Sequence, residues 1–157
     1  MDVFPNDGNP NTISAQAYEY SIPVTPSGPG EPILKTFGVA ISGVVFEPGT
    51  AERWNDSQDW RYEALRYGGA PAYIHSNDAV RHPDELGLDC NFAHVQPNGS
   101  YHYHGVPTGL VPETPALALI GWAADGYPIF GRWGHGDPND RSSPLEEMTS
   151  SYTLKEG

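Results

Sequence analysis

Three of the six histidines lie close together in the sequence, within the segment from Asp89 to Gly105. His102 and His104 are two positions apart, so on a β-strand their side chains point to the same face, about 6.5–7 Å apart along the backbone. Imidazole offers a neutral nitrogen lone pair of borderline softness, which suits zinc, copper and other late first-row metals. The spacing therefore indicates a candidate metal site on one face of a strand.

The turn between residues 96 and 100 decides whether His94 joins this pair. The segment Gln96-Pro97-Asn98-Gly99-Ser100 is typical of a three-residue hairpin loop, with Pro97 in the first loop position and Gly99 where a positive φ is needed. That loop pairs His94 with His102. A loop of only two residues would shift the register by one and send His94 to the opposite face. We favour the longer loop because proline suits its first position.

The predicted site therefore has three histidine ligands, His94, His102 and His104. Three protein ligands leave one coordination position for water or a substrate. The nearest oxygen candidates for a fourth ligand, or for fixing the imidazole tautomers, are Asp89, Asn91 and Asp125. The predicted occupant is one transition-metal ion, copper or zinc.

Other arrangements of these residues remain open. An isolated His-x-His pair on a strand usually lies at a surface and binds nothing, and the two histidines could instead be structural, hydrogen-bonded to Asp125. Cys90 with two histidines and Met148 would make a blue-copper ligand set. The close Cys-His-Met loop of such sites is missing, so we interpret Cys90 as a small buried thiol. The remaining histidines lie in turn-rich stretches and are expected to be solvated: His75, His82 and His135.

The composition excludes several classes of protein. The 157 residues carry 8 basic and 20 acidic side chains, a net charge of −12, which disfavours binding to a nucleic-acid backbone. No run reaches the roughly 18 apolar residues that cross a bilayer, so no membrane span is expected. Gly 18 and Pro 16 are nearly twice their average share, which indicates many short strands joined by tight turns.

The periodicity predicts a single, mainly β domain over residues 1–157, a β-sandwich or barrel with one or two short helices and long Gly/Pro-rich loops. Residues 1–14 are a lead-in segment. The predicted strands are Tyr18–Val24, Phe37–Phe46 with a tight turn or bulge at Ser42-Gly43, Ala116–Ala124, Tyr127–Phe130 after an Asp125-Gly126 turn, and Ser151–Leu154. The predicted helix is Ser57–Leu65, and residues 132–144 form a loop.

Four tryptophans, Trp54, Trp60, Trp122 and Trp133, could form a platform that stacks on sugars. Trp122 lies in an apolar strand and Trp60 on the apolar stripe of the predicted helix. Core packing is therefore the expectation for both of these side chains.

The sequence resembles the YHYH-domain family, which is named for the tetrapeptide at residues 101–104. The resemblance includes Gly38–Pro48, Leu88–Pro97, Gly99–Pro107, Ile120–Gly131 and Ser150–Tyr152. Members are mostly secreted or periplasmic, so the resemblance implies export, although Met1 to Asn11 are polar and read as the start of a mature domain. Family members usually continue into a further Asp/Asn/Gly-rich stretch. The family implies little about mechanism.

The sequence supports three functions. The favoured one is an exported metal-binding protein with a mononuclear copper or zinc site. The second is an adhesion or carbohydrate-binding module that needs no metal. The third is a metal-dependent hydrolase or oxidoreductase, in which Asp89 or Asp125 would act as a base or Tyr101 or Tyr103 would support redox chemistry. No nucleophile or phosphate-loop motif is present, so binding ranks above catalysis.

Overall fold

A computed structural model describes residues 4–26, 28, 36–51, 64–67 and 86–149. These residues form β-strands joined by turns, with one helical turn, α1 (Ala64–Tyr67), and one 3₁₀ turn (Thr108–Leu110) in the described part. The prediction of a mainly β fold is confirmed. No helix in the described ranges is long and apolar enough to cross a membrane.

The strands form a six-stranded sheet and a two-stranded sheet. They are β1 (Gly38–Ala40), β2 (Val45–Phe46), β3 (Ala93–Val95), β4 (Tyr101–Tyr103), β5 (Leu119–Ala123), β6 (Pro128–Phe130), β7 (Trp133–His135) and β8 (Leu145–Glu147). The large sheet has the order β3-β4-β2-β1-β5-β6, and β7 pairs with β8. Every neighbouring pair is antiparallel except β2 and β4, which are parallel. The parallel pair places the 101–104 segment in the interior of the sheet.

Two of the predicted turns are confirmed. The apolar stretch 37–46 folds into β1 and β2 around a tight turn, in which Gly43 has a φ of 83° and its N–H donates to the carbonyl of Ala40. Gly126 has a φ of 94° in the turn between β5 and β6, as its Asp-Gly dipeptide predicts. Pro128 lies in the edge strand β6, where its missing N–H costs no hydrogen bond.

The main core covers one face of the large sheet. Its buried residues are Ala40, Phe46, Ala93, Tyr103 and Ile120. The ring of Phe46 lies 5.6 Å from that of Tyr103, so β2 and β4 pack through their aromatic side chains as well as through the backbone. Burial of one large apolar side chain such as Ile120 contributes about 1.5–3 kcal/mol.

The predicted strand Tyr18–Val24 is wrong. These residues join no sheet, and the side chains of Tyr18 and Val24 are 53% and 100% exposed. The alternation of apolar and polar residues describes an extended segment here, because no face of it is buried and Pro23 has no N–H to donate to a ladder. Most of its apolar side chains therefore remain at the surface, and only Ile22 is half-buried.

The preceding lead-in segment is docked on the edge of the sheet. The side-chain amides of Asn9 and Asn11 both donate to the carbonyl of Val95, at 2.9 and 2.7 Å. The N–H of Ser14 donates to the carbonyl of Gly99 at 3.0 Å. Because β3 is an edge strand, these contacts satisfy acceptors that the sheet leaves unpaired.

Other expectations have mixed outcomes. Residues 132–144, predicted as a loop, include strand β7, because Gly134 and its neighbours pair with β8. Trp122, predicted to be core, is 41% exposed, since its side chain points away from the core face. Most of the predicted helix 57–65, the predicted strand 151–154, and Trp54 and Trp60 lie outside the described residues.

Docking of the lead-in can be tested with a matched pair of glycine variants. Gly43 and Gly99 share a φ of 83°, but a Cβ at Gly43 meets nothing within 4 Å, whereas one at Gly99 overlaps the side chain of Ser14. Alanine at either position should cost about 1 kcal/mol for the left-handed backbone. Gly99→Ala should lower the free energy of unfolding, measured in urea, by roughly 1–3 kcal/mol more than Gly43→Ala does, because the new Cβ must displace the lead-in segment.

The additional cost should disappear when Ser14→Gly is combined with Gly99→Ala. Equal losses for Gly43→Ala and Gly99→Ala would show that residue 14 does not pack on the hairpin.

Candidate metal centre

The β3–β4 hairpin has the register that the longer loop predicts. His94 pairs directly with His102, and Val95 pairs with Tyr101. The N–H of Gly99, whose φ is 83°, donates to the carbonyl of Gln96, which closes the three-residue loop. The prediction that His94, His102 and His104 share one face of the hairpin is confirmed.

The alternating tyrosines occupy the other face. Tyr103 is buried in the main core, and its hydroxyl lies 3.2 Å from the Ser42 Oγ. Tyr101 is half-buried and donates its hydroxyl proton to Oδ2 of Asp89. Burial raises the pKa of the Tyr101 hydroxyl well above its ordinary value, and the hydrogen bond to the carboxylate raises it further. Anchoring these side chains in the core holds the histidines on the opposite face.

The three imidazoles form a compact cluster. Each pair of ring centroids is 4.7 Å apart, and one nitrogen from each ring lies within 4.8 Å of the other two. Nε2 of His94 and Nε2 of His104 are 3.0 Å apart. The side chains of His102 and His104 are buried, at 3% and 6% exposure. Burial of three polar rings so close together is unfavourable unless their nitrogen atoms are hydrogen-bonded or bind a ligand.

The backbone sets the orientation of the His94 ring. Its Nδ1 lies 2.7 Å from the carbonyl of Leu86, which can only accept, so Nδ1 carries the proton. The lone pair of His94 is then on Nε2 and points at His104. This carbonyl–histidine arrangement is the one that commonly fixes the tautomer of a metal-binding imidazole.

The other two rings contain polar atoms without partners. Nδ1 of His102 and Nδ1 of His104 are buried and make no hydrogen bond. The backbone of Ser100 is near His102, and that of Pro48 is near His104. An unpaired buried polar atom costs about 1–3 kcal/mol. A ligand that draws both rings into a fixed orientation would remove this cost if it aligned each Nδ1–H with the nearby backbone.

Burial keeps these imidazoles neutral. Burial and, to a smaller extent, the nearby His94 lower the pKa of His102 to about 4, while the Ser100 backbone acts in the opposite direction. Burial, followed by the proximity of His102 and His94, lowers the pKa of His104 to about 3. Neutral imidazole is the form that binds metals, so no proton has to leave these two residues at neutral pH.

One of the three nitrogen–nitrogen distances already fits a common metal ion, and the others are no longer than 4.8 Å. Nitrogens bound at about 2.0–2.1 Å to one ion are about 3.3 Å apart in a tetrahedral site and about 2.9 Å apart at a right angle. The observed 3.0 Å between His94 and His104 lies in this range. Two lone pairs at that distance repel unless a proton or a cation lies between them. The cluster could therefore hold a metal ion after small rotations of its rings.

Asp89 is beside the hairpin but outside this group of ligand atoms. Its Oδ1 accepts the N–H groups of Asn91 and Ala93, at 2.8 and 3.2 Å, and its Oδ2 accepts the hydroxyl of Tyr101. The Asp89 carboxylate thus accepts the outward N–H of Ala93 in the edge strand β3 and also holds the hydroxyl of Tyr101. These contacts give Asp89 a positioning role at the start of β3.

The remaining sequence candidates are elsewhere. Asp125 is exposed in the β5–β6 turn, where its Oδ1 accepts the N–H of Tyr127. Cys90 is half-buried and outside the ligand group, and Met148 is 48% exposed, so the blue-copper set is not assembled. His135 is half-buried in β7, with Nδ1 2.9 Å from the carbonyl of Ser143, rather than solvated. His75 and His82 lie outside the described residues.

One partner of the cluster could not be identified from the sequence. The Leu86 carbonyl that orients His94 is a backbone group, and any residue type could supply it. Its position depends on the path of the chain before the Asp89 turn, and that path has no signature in the residue types.

The fold and the site together define a small, mainly β protein with a buried three-histidine cluster. The family model described as YHYH protein matches residues 19–156, and the chain belongs to this family. The histidine cluster contains both histidines of the family's tetrapeptide. No curated protein and no solved structure gives a significant match.

Burial of neutral histidines predicts that acid destabilises the metal-free protein. His102 and His104 take up protons near pH 6.5 in the unfolded chain, but only near 4 and 3 when folded. Because the unfolded state binds more protons in this range, the free energy of unfolding should fall as the pH drops from about 6.5 to 5. The loss is on the order of 1–2 kcal/mol per histidine.

Urea unfolding in the presence of a chelator, at a series of pH values, measures this slope. The double variant His102→Gln/His104→Gln should have a shallower slope, and His135→Gln, outside the cluster, should keep the wild-type slope. A double variant with an unchanged slope would mean that these two rings take up protons over the same pH range in the folded protein as in the unfolded chain.

Proposed function

We propose that this chain is an exported metal-binding protein that holds one copper or zinc ion between His94, His102 and His104. One observation carries the proposal: three imidazole nitrogens converge to within 4.8 Å of one another in a buried position. Export is supported by the resemblance to a family whose members are mostly secreted or periplasmic.

A purely structural role for the cluster explains less. Structural histidines that are buried are expected to pair with carboxylates or carbonyl groups. His94 has such a partner in Leu86, whereas Nδ1 of His102 and Nδ1 of His104 lie in rings near the backbone of Ser100 and Pro48 but make no well-aligned hydrogen bond. Asp125, the carboxylate that would pair with them, is exposed at a distant turn. An ion would account for the convergence of the rings, and their neutrality, which burial produces, suits them as its ligands.

The ligand set favours late first-row metals. Three neutral nitrogen donors of borderline softness suit zinc and copper better than Mg²⁺ or Ca²⁺, which prefer oxygen. Three ligands also leave a position open, which would support hydrolytic or redox chemistry. Metal binding is the function we propose, because the convergence of the three nitrogens supports it without a substrate site.

Metal content tests this proposal directly. Protein purified without a histidine tag and loaded with zinc or copper should contain one ion per chain by elemental analysis. His102→Ala/His104→Ala should reduce this to background, because two of the three donors are lost. Removal of the ion with a chelator should lower the midpoint of thermal unfolding of the wild type. An anomalous-scattering map would identify the ion.

Two control variants sharpen the result. His135→Gln removes an imidazole outside the cluster and should retain one ion per chain. Asp89→Asn should also retain it while lowering stability, since Asp89 holds the edge of β3 through three hydrogen bonds. Background metal in the wild type, with stability indifferent to chelator, would refute metal binding.

A second candidate function is favoured by the exposure of Trp122. Its indole is 41% exposed and lines a groove of about 180 Å³ between the 19–22 segment and the sheet. Tyr20 and Glu19 line the same groove, so an aromatic face lies beside a carboxylate and hydroxyl groups. Sugars bind to such combinations through stacking and hydrogen bonds. This groove supports the alternative of a carbohydrate-binding module.

Affinity electrophoresis in gels that contain soluble polysaccharides tests the second candidate. The wild type should be retarded by at least one polysaccharide, and Trp122→Ala should abolish the retardation because the stacking surface is lost. Tyr127→Ala removes another exposed aromatic side chain, outside the groove, and should have no effect. If no polysaccharide alters the mobility of the wild type, carbohydrate binding is refuted.

A further inference from the structure

A carboxylate bridges the two strands on either side of the histidine strand. The side-chain amide of Gln96 donates to Oε2 of Glu47, at 3.1 Å. Gln96 directly follows β3, and Glu47 directly follows β2. Strand β4, which carries His102, lies between β3 and β2 in the sheet. The hydrogen bond therefore crosses over β4 on one of its two faces.

The register shows which face it crosses. Gln96 is two residues after His94 and still pairs with the hairpin through its N–H, so its side chain points to the face of His94. Val45 pairs with His102, and Glu47 is two residues after Val45 and donates its N–H to the carbonyl of Tyr103. Both side chains thus lie on the face that carries the histidines.

Glu47 is consequently an acidic residue on the face of the cluster, at the sheet position beside His104. Its carboxylate is half-buried, as is the Gln96 amide that holds it. Glu47 lies outside the group of converging ligand atoms, so it is not a fourth donor in this geometry, and its contribution to a bound ion would be its charge. The hydrogen bond from the Gln96 side-chain amide to Oε2 holds the Glu47 carboxylate over β4.

A carboxylate in this position discriminates between ions by charge. Three neutral imidazoles leave the full charge of a bound ion unbalanced in a buried site, which is costly. The Coulomb attraction of one carboxylate is proportional to the charge of the ion, so it is twice as large for Zn²⁺ as for Cu⁺ at the same distance. On the basis of the proposed metal-binding function, we propose that Glu47 balances the charge of the ion and makes the site selective for a divalent cation.

The test compares the affinities for Zn²⁺ and Cu⁺ in competition with chelators of known affinity. Glu47→Gln keeps the size of the side chain and its ability to accept from Gln96, but removes the charge. It should weaken Zn²⁺ binding by about 10- to 100-fold, the range typical of residues that support metal ligands. Since the attraction halves, the loss for Cu⁺ should be about the square root of the loss for Zn²⁺.

Two further variants make the result specific. Glu113→Gln removes the same charge from an exposed loop residue and should change neither affinity. Gln96→Met leaves the carboxylate but not its hydrogen bond, and should weaken Zn²⁺ binding less than Glu47→Gln does. Thermal unfolding of the metal-free proteins establishes that each variant is folded.

The possible results separate this inference from the proposed function. A wild type that binds neither ion would refute the metal site itself. A wild type that binds, with Glu47→Gln unchanged in both affinities, would overturn only the role of Glu47. Equal losses for Zn²⁺ and Cu⁺ would also overturn it, because a charge-balancing carboxylate must act more strongly on the divalent ion.

Discussion

The register of the β3–β4 hairpin is the constraint on which the site depends. Side chains alternate along a strand, so a shift of one residue would send His94 to the tyrosine face and leave only two imidazoles together. The three-residue loop with Gly99 in a left-handed conformation fixes the register from within. The burial of Tyr103 on the opposite face and the docking of Ser14 against the loop fix it from outside. Local turn chemistry and core packing therefore specify the same arrangement.

The cluster combines features that are individually unfavourable. Neutral imidazoles are removed from water, and two of their nitrogen atoms lack partners. The edge of the sheet beside them is closed by Asp89, Asn9 and Asn11 instead of by another strand. Proteins retain such arrangements mainly where function requires them. The stability provided by the aromatic core therefore offsets the unfavourable free energy of holding three imidazole rings close together.

The sequence predicted the parts of the molecule that local chemistry determines. The turns at Gly43, Gly99 and Gly126 have residues suited to their backbone angles, and the convergence of the histidines follows from one of them. The exposure of Trp122 and the irregular path of residues 18–24 were not predicted, because apolar patterns do not reveal which face a distant segment covers. The parallel pairing of β2 with β4 joins strands far apart in sequence, and no short-range signal specifies such a pairing.

All three clustered imidazoles come from eleven consecutive residues, whereas Glu47 directly follows a strand almost fifty positions earlier. A hairpin closes a short loop at little entropic expense and forms within microseconds, while a parallel partner must be recruited from far along the chain. From this difference we expect the two parts of the site to assemble in order. We expect the three imidazoles to come together first, and the carboxylate of Glu47 to join them as the sheet closes.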